Sequence, residues 1–147
     1  MDVFQTLLWD LGELVSQPLH VDKNRACRLL INETIEVQIE MDAYEECLLI
    51  TAFIAEIPLG KFRENVLKEG LKMNNTHHPF GVFAYFEKKN SLVLRKYLYI
   101  FDLSPEKLLE HLEVFVAEAE EWRTALNNGQ TSPDKYIRRH SSNPSPK

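Results

Sequence analysis

Apolar residues recur every three or four positions near the start of the chain, where Phe4, Leu7, Leu8, Leu11, Leu14 and Val15 form one stripe. That spacing predicts an amphipathic helix over 2–15, closed by Pro18. Val3 and Trp9 lie off the stripe, so its apolar face is wider than a single core contact needs. The period then changes to two. Residues 27–32 predict a short strand with Cys27, Leu29 and Ile31 on one face. Over 34–41, Ile35, Val37, Ile39 and Met41 alternate with Thr34, Glu36, Gln38 and Glu40, which predicts a strand with one wet face. Residues 47–57 are apolar on both faces and predict a central strand covered on each side, ended by Pro58.

A helical period returns over 60–74, with Phe62, Val66, Leu67, Leu71 and Met73 as the apolar positions. Gly70 weakens that helix by about 1 kcal/mol relative to alanine. Residues 80–87 and 92–101 predict an antiparallel hairpin joined by Lys88-Lys89-Asn90-Ser91. Ser104-Pro105 is a helix start, serine as cap and proline in the first turn. The helix it opens runs to about residue 126, with Leu108, Leu112, Phe115, Ala119 and Trp122 on one stripe. Glu110, Glu113, Glu118, Glu120 and Glu121 load the other side. The order is helix, three strands, helix, two strands, helix: one α+β domain over 1–126 with a single antiparallel sheet flanked by helices.

From residue 127 the composition turns to Asn, Gly, Ser and Pro, and 127–147 are expected to be a disordered basic tail. Four basic residues there face one acidic residue, a net of +3, so the remaining body carries −8 of the chain's −5 total. An acidic body argues against nucleic-acid binding, where phosphate contacts dominate affinity. No apolar run reaches the length of a membrane span, so no membrane insertion is expected. The N-terminus lacks the basic and apolar regions of a secretory signal, and the protein is expected to stay where it is made. Cys27 and Cys47, far apart and outside any CxxC, are expected to be buried, reduced thiols.

Catalytic signatures are missing. The five glycines are scattered at 12, 60, 70, 81 and 129 and form no phosphate-cradling loop. Neither a GxSxG elbow nor an HExxH motif occurs. Ser104 and Ser132 each open an SxxK pattern, but Ser104 is better explained as a helix cap. His77-His78 has no further ligand at metal spacing and reads as a solvated turn. The carboxylates fall mainly on polar faces, which are solvated surfaces. The chain is therefore read as no enzyme, with no metal and no cofactor. What it does offer is apolar surface in surplus, for in the hairpin Val82, Ala84 and Phe86 lie opposite Phe83 and Tyr85. Both faces carry large side chains, and a small domain has one core. The surplus points to contact with another chain; the competing reading is that helices cover both faces within one monomer.

The order of these pieces resembles the class I chaperones of bacterial type III secretion. The likeness covers residues 2 to about 126. It is carried by Leu29-Leu30-Ile31 before the alternating 35–40 strand, by the Leu48-to-Ile57 strand ending in Pro58, by Phe80-Gly81-Val82-Phe83-Ala84-Tyr85, and by Phe115-Val116-Ala117-Glu118-Ala119 before Trp122. Gly70 and the basic tail depart from the usual form. The resemblance implies a cytoplasmic, dimeric chaperone, paired with its own copy or a related subunit through the second helix and the neighbouring strand. It also implies a partner that is a secreted effector or gatekeeper protein, whose N-terminal region is held in extended form. On that basis Phe4, Leu7, Leu8, Leu11, Ile35 and Val37 are expected client contacts, and Phe62, Val66, Phe83 and Tyr85 the dimer seam. The alternative is a small α+β ligand-binding or regulatory domain with an apolar pocket; a weaker third is a hydrolase built on scattered carboxylates.

Overall fold

A computed structural model describes residues 2–76 and 78–136 of the chain. The eight expected elements are present in the expected order: α1 (Val3–Val15), β1 (Ala26–Ile31), β2 (Ile35–Met41), β3 (Cys47–Glu56), α2 (Lys61–Asn74), β4 (Val82–Phe86), β5 (Ser91–Tyr99) and α3 (Pro105–Asn127). Single 3₁₀ turns follow β4 and β5.

Local chemistry sets the helix starts. Asp2 and Gln5 form a reciprocal capping box at α1: the Gln5 amide donates to Asp2 Oδ1 at 2.8 Å and the Asp2 amide to Gln5 Oε1 at 3.2 Å. Ser104 caps α3 as expected, its hydroxyl accepting from the Lys107 amide at 3.1 Å with Pro105 in the first turn.

The strands form one antiparallel sheet in the order β1-β2-β3-β5-β4. Register decides which side chains share a face. Leu29, Val37, Ala52, Leu94 and Phe83 lie opposite one another across all five strands. This row is buried, and α3 packs on it over β2 and β3 while α1 packs on α3 and α2 sits beside β4. Trp122, Phe4, Phe115, Ile35, Ile39 and Ile50 are among the fully buried side chains of the resulting core.

β3 is central and buried on both faces as expected, at consecutive positions from Leu48 to Ala52. The face opposite that row has no helix over it. There Leu49, Thr51 and Val93 are buried, with Tyr97, Arg95 and Phe53 as their cross-strand neighbours. Phe53 and Phe86 meet edge to face at 5.4 Å, and the Lys89 ammonium lies 4.4 Å over the Phe53 ring.

The ordered fold also continues past 126. Gly129 takes a positive φ, the Gln130 amide donates to Ala125 O at 2.9 Å, and Ser132, Pro133 and Tyr136 are buried against the body. Residues 129–136 are thus packed rather than loose, while 137–147 lie outside the described residues. Cys27 is buried as expected; Cys47 is only half-buried, and both are free.

Replacing Ser104 by alanine should cost about 1 kcal/mol of stability, and aspartate at the same position should restore most of it. Urea unfolding of the two variants beside the parent protein measures both; equal losses would mean that the cap contributes nothing.

Candidate client and pairing surfaces

The side chains expected to meet a client are inside the protomer. Phe4, Leu8, Leu11, Ile35 and Val37 have no exposure and Leu7 has 6%. The physical reason is that a helical or strand period marks the face that packs on the rest of the fold, and α1 spends its stripe on α3 and the sheet. Those six residues therefore offer no contact surface. The apolar area of α1 that does face outward belongs to the residues off the stripe: Trp9 is 56% exposed and Val3 64%, joined by Leu14 at the stripe's rim. On the uncovered sheet face Leu30, Tyr97, Tyr99 and Val82 are exposed too.

The seam residues divide. Val66 and Phe83 are buried in the core, whereas Phe62 and Tyr85 are half-buried at the surface. Between α2 and β4 runs a small apolar groove of about 160 Å³, lined by Leu67, Gly70, Leu71, Phe83, Tyr85 and Leu92, with Leu71 67% exposed at its rim. Gly70 explains itself here. A β-carbon at that position would stand 3.2 Å from Phe83 Cβ, so glycine lets α2 lie close against β4. The Arg63 guanidinium covers the Tyr85 ring at 5.2 Å, and the Tyr85 hydroxyl donates to Asn90 Oδ1 at 2.7 Å.

β4 is an edge strand, yet its backbone is occupied at Phe83. The Asn74 side chain donates to Phe83 O at 2.9 Å and accepts from Phe83 N at 2.7 Å, standing in for a neighbouring strand. At the other edge, the exposed β1 side chains Arg28 and Leu30 flank a strand paired only with β2.

A buried polar cluster lies under the start of β4, and two sequence expectations fail there. His78 is not in a solvated turn: its side chain is 2% exposed. Glu118, assigned to the wet side of α3, is 1% exposed. Glu118 Oε2 accepts from His78 Nε2 at 2.9 Å, from Trp122 Nε1 at 3.2 Å and from the Tyr136 hydroxyl, and Oε1 accepts from the Lys135 ammonium at 2.8 Å. His78 Nε2 also lies 3.0 Å from the Tyr136 hydroxyl, and Nδ1 faces Gly81 O at 3.4 Å. Burial alone would raise the Glu118 pKa, but the hydrogen bonds from His78, Lys135 and Tyr136 outweigh it and bring the group from 4.5 down to about 2. Burial and the Glu118 carboxylate push the Tyr136 hydroxyl well above the usual phenol range. Among the described residues no group of three or more His, Cys, Asp or Glu could hold a metal, and no helix is long and apolar enough to cross a membrane.

A model of the Tir chaperone protein (CesT) family matches residues 6–123. The chain belongs to that family, and the resemblance read from its sequence to the type III secretion chaperones holds. No curated protein matches the sequence. Solved structures share the fold. A chain of the ExsC–ExsE complex superposes with a TM-score of 0.73 at 23% identity, covering 84% of this chain and 96% of that one. A chain of the HopA1–SchA chaperone–effector complex gives 0.65 at 22%, covering 84% and 94%. A chain from the complex of the Yersinia pestis type III secretion chaperone SycH with a stable fragment of YscM2 gives 0.58 at 17%, covering 79% and 96%.

Because the folded protein holds Glu118 below its unfolded value of 4.5, the stability this group contributes is complete above pH 4.5 and is lost as the pH falls toward 2. Glu118→Gln should lower stability at neutral pH by about 2 kcal/mol and flatten that stretch of the acid-unfolding profile. Chemical unfolding of both proteins between pH 7 and the acid limit measures the effect; parallel profiles would show that Glu118 is not the titrating group.

Proposed function

We propose that the protein is a cytoplasmic chaperone of type III secretion that holds the N-terminal region of a secreted effector or gatekeeper protein in extended form, works without catalysis, and keeps its client ready for export. Membership of the CesT family and the likeness to chains of chaperone–effector complexes support this reading. The observation that carries it is apolar surface displayed outside a completed core, on α1 at Val3 and Trp9 and on the helix-free sheet face at Leu30, Tyr97 and Tyr99. These residues take the place of Phe4, Leu7, Leu8, Leu11, Ile35 and Val37 as the proposed client contacts.

An extended segment has unpaired main-chain groups of its own, so it binds well along a sheet edge. With Asn74 occupying Phe83 on β4, the β1 edge is the better acceptor. Its neighbourhood also holds Leu30 for a client side chain to meet.

The protein acts as a dimer in the same reading, with its own copy or a related chaperone. The seam is the α2–β4 groove, where Leu71 and Tyr85 are contact side chains over Phe83, with half-buried Phe62 on the same helix beside it and Val66 in the core. The acidic body keeps such a sticky particle dispersed.

Purification from the native cell, followed by sizing, tests the proposal. A stoichiometric secreted protein should be recovered on a dimer, held through its N-terminal region, and Trp9→Asp should reduce its recovery at least tenfold, roughly the worth of one buried aromatic anchor, while leaving the fold intact. Recovery of a monomer carrying only a small molecule would overturn it in favour of a ligand-binding domain.

A further inference from the structure

Glu118 is a carboxylate almost without solvent, and its four donors come from three separate parts of the chain. Trp122 lies on the same helix, His78 comes from the loop entering β4, and Lys135 and Tyr136 come from the segment beyond α3. That last segment supplies the ammonium that balances the buried charge, and Lys135 also pairs with Glu121 on the helix surface. An open cleft lined by Ala117, Glu121, Thr124, Gln130 and Asp134 runs between the segment and α3, while Ser132 and Pro133 are buried and the Gln130 amide is bonded to Ala125 O at 2.9 Å.

Contacts lead from the clasp toward the seam without a gap. The His78 ring meets Tyr136 at 5.9 Å, Phe80 at 5.2 Å and Phe83 at 5.3 Å. Phe83 in turn lies 4.4 Å from the Trp122 ring and directly beneath Gly70 of α2. Every step is a packed or hydrogen-bonded pair, and buried packing of this kind transmits displacement.

We propose that residues 129–136 form a latch that fixes β4 against α2, with Lys135 and Tyr136 closing on Glu118 and His78 carrying the constraint into the strand. Opening the latch leaves Glu118 with two of its four donors and without its counter-charge. It also deprives His78 of one wall, so the 78–86 region loosens while the β1–β2 end of the sheet stays as it is. The link to dimer strength rests on the pairing proposed above; the local effect on β4 does not.

Amide hydrogen exchange on the full chain tests this, with Tyr136→Ala to remove the clasp and Tyr136→Phe to remove only the hydroxyl. In the alanine variant, exchange should rise about tenfold or more in 130–136 and also in Val82–Phe86, with Ala26–Met41 unchanged; the phenylalanine variant should give a smaller rise in the same two segments. A rise confined to 130–136, or one spread evenly over the sheet, would overturn the latch. Sedimentation on the same samples should show the alanine variant dissociating at higher concentration than the parent protein, and equal dissociation of the two dimers would overturn the coupling to the seam. If the parent protein is itself a monomer, the pairing proposal fails, and the exchange pattern still decides the latch.

Discussion

Covering one face of a sheet commits the other to something else. Here all three helices gather on the side where Leu29, Val37, Ala52, Leu94 and Phe83 line up. The far side must therefore look after itself. At its centre it succeeds: Leu49 and Val93 are buried, and Phe53, cross-strand partner of Val93, packs edge to face on Phe86. Toward β5 it does not, and Tyr97 and Tyr99 stand out from the surface. A tyrosine suits that position because its ring can join an apolar contact while its hydroxyl stays wet.

Element order was readable because each period is local. Alternation over 35–41 and the three–four spacing of α1 and α3 name a strand or a helix without reference to anything distant. The same signal misleads about partners. A regular apolar stripe reports the side that packs on the chain itself, so Phe4, Leu8 and Leu11 vanish into the core. The irregular residues Val3 and Trp9, visible in the sequence as departures from the stripe, are the ones left outside.

The polar cluster was not readable at all. His78 and Glu118 are 40 positions apart, and Tyr136 a further 18 along, so no spacing rule joins them. Composition also misjudged the start of the tail. A run poor in apolar residues suggests a loose end, but a single tyrosine and a single lysine suffice to dock it when a buried carboxylate waits for both. Gly70, by contrast, was noticed in the sequence as a weakness in a helix; its purpose became clear only with Phe83 beneath it.

Asn74 has one more effect, which concerns many copies rather than one. Sheets with two open borders can join border to border without limit, which is how fibrils grow. A carboxamide seated on the main chain of β4 removes one of the two borders at Phe83. An incoming strand therefore meets β4 with the Phe83 main chain already bonded, which disfavours border-to-border growth on that side.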